Sequence, residues 1–182
     1  MMRVAADGGA VVVTHAHNAN QWNPSAGTPL PPEAYGELFE EMDARLFAER
    51  DLLAEVIGGG PLDLARRHSA GALDNDLALT IVASRRRDLF RAYPLASSPR
   101  ATGEFRLNPL YAIERDGDRV RLRLQFPSAD YEEEYGASRA YLAAEVAVDR
   151  AALVSLPAEQ LPAALADLAR RRVILDLPKR YY

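Results

Sequence analysis

The first half of the chain alternates between apolar runs and helical periodicity. Residues 10–14 form a continuous apolar, β-branched run introduced by residues 7–9, Asp-Gly-Gly. This pattern is typical of a strand buried on both faces of a parallel sheet. Farther on, apolar residues recur at the i, i+3, i+4 and i+7 spacing of one helical face, after prolines that suit a first helical turn. These residues are Tyr35, Leu38, Phe39 and Met42.

The same alternation continues to about residue 91. Residues 45–47 predict a short strand, and the apolar positions of residues 52–57 predict a second helix. Three glycines and Pro61 follow and are expected to end that helix. Residues 77–83, LALTIVA, form another β-rich apolar run. The order strand, helix, short strand, helix, strand predicts an α/β unit.

The second half predicts a smaller α+β unit. Residues 110–126 read as a β-hairpin that turns on residues 116–117, Asp-Gly, with one apolar face and one arginine-rich face. That turn places Ile113 opposite Val120. Residues 161–172 then predict an amphipathic helix that ends in three arginines, and residues 173–177 predict a last strand.

The domain boundaries follow from these patterns. We expect an α/β unit over residues 1–91, a linker over 92–103 that is rich in serine and proline, and a small α+β domain over 104–182. A short helix at residues 150–154, the following helix and the last strand suggest a winged-helix-like arrangement in the second domain. The tyrosine-rich acidic run at 130–135 has no secure assignment.

Composition narrows the class of protein. The chain has 182 residues, no cysteine and a formal net charge of -4. The missing cysteines exclude disulfide scaffolds, thiolate nucleophiles and cysteine-ligated zinc, and fit a cytoplasmic location. The negative charge makes a nucleic-acid partner unlikely. No apolar run is long enough to cross a bilayer, so no membrane partner is expected.

The first half resembles the C-terminal portion of class I S-adenosylmethionine-dependent methyltransferases. The stretch MMRVAADGGAVVVTHAHN is similar to the entry into their fifth strand, and LALTIVASR is similar to the hairpin that closes their sheet. WNPSAGTPLPPEAYGELF and LNPLY with FPSADYEEEY also resemble a bacterial group that carries a C-terminal extension. The resemblance implies a partial Rossmann-like methyltransferase sheet, and methyl transfer from S-adenosylmethionine in the parent protein.

The cofactor-binding signature of that family has no counterpart in this sequence. It requires a glycine-rich turn after the first strand and an acidic residue at the end of the second. Residues 58–60 are glycines, but they follow a helix. We therefore expect no cofactor for this chain alone and no catalysis. The first strand then has a hydrophobic edge that the missing N-terminal half or a second protein chain must cover, with a homodimer as a further alternative.

The candidate substrate-binding residues lie where the first strand ends, because ligands of open α/β sheets bind at the carboxyl ends of the strands. They are His15, His17, Asn18, Asn23 and Ser25. A turn-forming role is the alternative for each. The two histidines also have the spacing of some metal ligands, but a clear third ligand is missing.

Other conspicuous residues favour structural roles. Trp22 is interpreted as a packing anchor. Arg119, Arg121 and Arg123 alternate onto one hairpin face and are interpreted as a solvated stripe, offset by acidic neighbours. The sequence thus predicts an acceptor-side part of a methyltransferase, inactive alone. The alternative is a non-enzymatic module that binds a protein or, less favoured, a nucleic acid in a winged-helix manner.

Overall fold

The computed structural model describes residues 8–23, 27–94, 104–154, 156, 161 and 163–177. These residues form two compact units. The first contains the described residues up to 94 except 57–59, and the second contains those from 104 onward together with 57–59. Both units mix short helices with small antiparallel sheets, so the mixed α/β character expected from the sequence is confirmed.

The first unit follows the predicted order of elements. Its strands and helices are β1 (Ala10–His17), α1 (Pro32–Glu37), β2 (Asp43–Ala48), α2 (Glu49–Ile57), β3 (Leu62–Asp63), β4 (Ala78–Ser84) and β5 (Ala92–Tyr93). Short 3-10 turns at Ala70–Leu73 and Arg87–Leu89 complete it. β3 and β5, which the sequence pattern did not predict, pair with each other.

The main sheet of the first unit has the strand order β1-β4-β2. β4 is antiparallel to both neighbours, so β1 and β2 run parallel to each other. The prediction that β1 is buried on both faces of a parallel sheet is wrong. β1 pairs antiparallel with β4, and its residues alternate in exposure, with Val12 58% exposed. The physical reason is position: the doubly buried strand is β4, which lies in the centre.

Each face of this sheet packs against its own layer. On one face Ile81 and Ala83 contact Phe39, with Tyr35 and Met42 alongside. On the other face a second apolar cluster forms, made of Phe47, Leu64, Val82 and Phe90 with Leu52 of α2 partly buried against it. Packing on both faces holds β1 and β2 in position against β4.

The first helix is shorter than its periodicity predicts. α1 ends at Glu37, and the chain reaches Met42 through turns in which the Phe39 amide donates to the Gly36 carbonyl. Phe39 is buried as predicted, but Leu38 is 54% exposed. The expectation that Leu38 shares the apolar face with Phe39 and Met42 is therefore wrong. The backbone leaves the α-helical path after Leu38, where the amides of Phe39 and Met42 donate to carbonyls three residues back.

The second unit contains the predicted hairpin, the predicted last strand and two strands that were not predicted, Glu104–Leu107 and Glu145–Asp149. Its elements are β6 (Glu104–Leu107), β7 (Tyr111–Asp116), β8 (Arg119–Leu124), α3 (Ala129–Tyr135), β9 (Glu145–Asp149), α4 (Arg150–Val154), α5 (Ala163–Arg170) and β10 (Ile174–Leu177). β7, β8 and β9 form one sheet, and β10 pairs with β6 in another. No winged-helix fold is evident in the described part of this unit, since the hairpin and β10 belong to different sheets.

The hairpin is confirmed, but its register differs from the prediction by two residues. Ile113 lies opposite Leu122, not Val120, and the turn residues are Gly117 and Asp118. Gly117 has a φ of 62°, which a residue without Cβ adopts at little cost. A shift of two keeps each side chain on its predicted face.

Two helices end with the same hydrogen-bond motif. Beyond α2, the Gly60 amide donates to the Glu55 carbonyl, and Gly59 has a φ of 92°. The prediction that the glycines end this helix is confirmed. Beyond α5, the Val173 amide donates to the Leu168 carbonyl while Arg172 has a φ of 60°. This is the Schellman arrangement, with arginine where glycine is usual.

Candidate functional site

A β-bulge near the end of β1 determines where His15 lies. Val13 pairs with Ile81 and Ala16 pairs with Leu79, so β1 carries one extra residue between these pairs. His15 occupies the bulge with a φ of 55°. Bulges of this kind redirect a side chain and are frequent beside functional sites. Residues other than glycine are uncommon in this backbone region, although histidine is found there more often than most of them.

The redirected His15 ring contacts a carboxylate at the start of α2. Its Nδ1 lies 3.0 Å from Oε2 of Glu49, the first residue of α2. The His15 side chain is 41% exposed and that of Glu49 is 20% exposed. A carboxylate in the first turn of a helix interacts favourably with the helix dipole. β2 ends at Ala48, so this pair lies at the carboxyl ends of the two parallel strands.

His17 lies beside His15 as the sequence predicted. The two ring centroids are 5.0 Å apart with an edge-to-face angle of 73°. The backbone of His17 is held by Tyr35, whose hydroxyl donates to the His17 carbonyl at 2.9 Å. The two histidines and Glu49 together form a cluster that we call the strand-end cluster.

Asn18 supports this cluster from inside the fold. It is fully buried, and its Nδ2 donates to the carbonyls of Leu73, Asp74 and Asp76 at 2.9 to 3.2 Å. Its Oδ1 accepts from the Asn20 amide at 3.0 Å. Every polar atom of the side chain is used within the chain, so Asn18 connects the end of β1 to the loop before β4.

A buried carboxylate lies in that same loop. Asp76 is 4% exposed, and Arg50 Nε lies 2.9 Å from its Oδ1, although at an angle that does not form a hydrogen bond. Burial raises the pKa of Asp76 above its ordinary value, while the positive charge of Arg50 opposes that change. Asp76 thus carries a desolvation cost that Arg50 offsets only in part.

This cost predicts a pH-dependent effect of replacing Asp76. A raised folded-state pKa means that stability present at low pH is lost as the pH rises through that pKa. Asparagine does not ionise, so we expect Asp76→Asn to gain in Tm relative to the wild type between about pH 4 and about pH 7. Thermal unfolding at both pH values checks this. Asp149→Asn, at a largely exposed site, is the control, and an equal shift in both variants would contradict the prediction.

Of the two remaining predicted site residues, the structure describes one. Asn23 lies in the loop after β1 and is half-buried. Ser25 falls outside the described residues. Trp22 is 62% exposed, so its interpretation as a packing anchor is wrong.

The arginine stripe of the second unit is balanced by acids, as expected. Arg121 Nε lies 3.2 Å from Glu145 Oε1, and Arg123 Nη1 lies 3.2 Å from Glu114 Oε1. Arg119 is within 3.9 Å of Asp149. This face therefore presents alternating charges and no continuous positive surface for phosphates.

Two general features of the described residues bear on ligands and membranes. They contain no group of three or more histidine, aspartate or glutamate residues placed to hold a metal ion. None of their helices combines the length and apolar character that crossing a bilayer requires.

Sequence reasoning found the histidines but missed Glu49 and Asp76. Glu49 carried a usable signal, since it follows a short strand directly and starts a helix, which places it at the same sheet edge as His15. Asp76 lies in a loop of ordinary polar composition, and its burial follows only from the tertiary contacts of Asn18.

Comparison of the chain with models of known protein families, with curated proteins and with solved structures finds no match.

Proposed function

We propose that this chain is the acceptor-side, closing part of a class I S-adenosylmethionine-dependent methyltransferase-like protein and that it is inactive alone. The observation that carries the proposal is the strand arrangement of the first unit. A hairpin that closes a parallel sheet places one antiparallel strand beside parallel ones, and β4 lies in that way between β1 and β2. The strand-end cluster lies where such sheets bind their ligands.

The described residues do not fit the cofactor. Binding of its nucleoside requires a glycine-rich turn directly after a strand. In this chain Gly59 and Gly60 follow α2, and a Cβ on Gly60 would approach Glu55 Cγ to 2.8 Å, which reflects a tight helix end and not a cradle. We therefore propose that another polypeptide segment binds the cofactor.

The edge of β1 is where that segment is proposed to join. Among the described residues β1 pairs only with β4, and residues 10–14 carry no charge or proline of the kind that protects an exposed edge. Val12 is exposed, although its paired residue Val82 is buried. A neighbouring strand would cover Val12. It would also form hydrogen bonds with the backbone N–H and C=O groups of β1 that point away from β4.

Site-specific crosslinking tests the proposal, because the chain has no cysteine of its own. Val12→Cys, labelled with a photoreactive maleimide in a lysate of cells that carry this gene, is expected to yield a crosslinked product that retains radiolabelled S-adenosylmethionine. The chain alone is expected to retain none. Ile113→Cys is the matched control, since Ile113 is also 58% exposed. Retention by the chain alone, or equal products from both variants, would contradict the proposal.

A surface of the second unit favours a rival function, a protein-binding module. Tyr131 and Tyr135 are both partly exposed, and their ring centroids lie 4.7 Å apart. Tyrosine is enriched in protein interfaces. A partner that crosslinks through the second unit and retains no S-adenosylmethionine would favour this rival.

A further inference from the structure

We propose that His15 is a proton acceptor for a hydroxyl or amine group of a molecule bound at the strand-end cluster, with Glu49 as its positioning residue. The inference rests on the proposed function for the location of the acceptor molecule. It concerns only residues of this chain and requires no cofactor. Each part of it follows from the geometry of the bulge and the neighbouring helix.

The contact with Glu49 selects one tautomer of the His15 ring. Carboxylate oxygens only accept hydrogen bonds, so the 3.0 Å contact requires the hydrogen on Nδ1. The neutral ring then carries its lone pair on Nε2. The proton of a bound hydroxyl or amine group transfers to Nε2, and its bonding electron pair stays on the oxygen or nitrogen. The imidazolium that forms is stabilised by the Glu49 carboxylate.

The cluster holds the ring in this orientation from three directions. The bulge directs His15 away from the ordinary strand face, the edge of the His17 ring contacts it, and Glu49 is fixed at the first turn of α2. The neighbouring Arg50 lies against Asp76. A partly exposed ring held by a carboxylate is the arrangement of an oriented general base.

Stability alone does not account for this arrangement. An ion pair near the surface contributes little to stability, whereas a residue other than glycine in the left-handed region is strained. The contact between His15 and Glu49 therefore does not offset the backbone strain at His15. Strained residues of this type concentrate at functional sites.

Hydrolysis of p-nitrophenyl acetate by the intact chain tests the reactivity of Nε2. In this reaction Nε2 adds to the ester carbonyl, nitrophenolate leaves with the bonding pair, and water hydrolyses the acyl-imidazole to acetate. The assay is run near pH 8. We expect His15→Gln to remove most of the histidine-dependent rate and Glu49→Gln to lower it about tenfold.

The control variant is His68→Gln, which lies outside the strand-end cluster and is expected to stay within about twofold of the wild type. Nitrogen NMR of the ring gives a second measurement that does not depend on a rate. Wild-type His15 is expected as the Nδ1–H tautomer, and Glu49→Gln is expected to shift it toward Nε2–H. A wild-type rate in His15→Gln or Glu49→Gln, or an Nε2–H tautomer in the wild type, would overturn the inference.

These outcomes are separate from those of the proposed function. The assays use this chain alone, without a methyl donor or a partner, so a reactive His15 is measurable even if the Val12 crosslink retains no S-adenosylmethionine. Conversely, a successful crosslink with an unreactive His15 would leave the proposed function intact and reject His15 as the base.

Discussion

Asn18→Asp is expected to unfold the first unit or to lower its free energy of unfolding by more than about 4 kcal/mol. The side chain is fully buried, and its amide donates to the carbonyls of Leu73, Asp74 and Asp76. Aspartate has no hydrogen to donate and places a negative charge against three carbonyl oxygens. An unsatisfied buried polar group costs about 1 to 3 kcal/mol, and a buried charge costs more.

Asn18→Ala separates the lost hydrogen bonds from the added charge, and we expect it to cost about 3 kcal/mol. Asn20→Ala is the matched control, because its side-chain hydrogen bond to Asp74 is exposed, and its effect should stay within about 0.5 kcal/mol. Hydrogen exchange of the β4 amides under denaturant measures the first unit by itself. Equal protection in Asn18→Asp and Asn20→Ala would contradict the structural role of Asn18.

The type of most elements in the first unit followed from local sequence, but their pairing did not. Periodicity identified β1 and β4 because apolar β-branched runs have few alternatives. It did not show that β4 lies in the centre, since strand order depends on contacts between distant residues. Both strands read as continuous apolar runs, although only β4 is covered on both faces. The wrong assignment of β1 follows directly from this ambiguity.

The hairpin shows the same limit at a finer scale. The Asp-Gly pair correctly indicated a tight turn, but Asp116 is the last residue of β7 and the turn is Gly117 and Asp118. The alternative register leaves every side chain on its predicted face, so the hydrophobic pattern does not distinguish the two. The third strand, β9, has alternating burial, yet it is too short to be recognised without its partner.

The candidate site was predictable in position but not in chemistry. The polar residues after the first apolar run pointed to His15 and His17, and their rings do lie together. The bulge that aims His15 at Glu49 arises from one extra residue relative to β4. Because that register is a property of the pair of strands, neither strand's sequence reveals it alone. The polar character of Asn18 suggested ligand binding, whereas its burial makes it structural.

Arg45→Met is expected to lower the free energy of unfolding of the first unit by about 2 to 3 kcal/mol. Arg45 points into the layer against Phe90, with its guanidinium carbon 4.1 Å from the ring centroid. Its Nη1 donates to the carbonyls of Leu64 and Ala65 at 2.8 and 2.6 Å. Methionine fills a similar volume but leaves these carbonyls without their donor, and the buried Leu64 carbonyl is the costlier of the two.

The matched controls separate charge, shape and burial. Arg45→Lys keeps the charge but loses the planar group that stacks on Phe90 and reaches two carbonyls, so we expect a loss of about 1 to 2 kcal/mol. Arg85→Met removes an exposed ion pair with Glu41 and should change stability by less than about 0.5 kcal/mol. Hydrogen exchange of the β4 amides again measures the free energy of unfolding of the first unit in each variant.

Buried ion pairs are sometimes dispensable, so the sign of the Arg45→Met effect is informative. Arg45 Nη2 lies 3.5 Å from Oδ2 of Asp43. Asp43 also contacts Arg67 at 2.8 Å, so removing Arg45 does not leave a carboxylate alone. Any loss must come from the loop carbonyls and from Phe90. A variant as stable as the wild type would mean that the loop around Leu64 is held by apolar contacts alone, and that the desolvation of Arg45 cancels its hydrogen bonds.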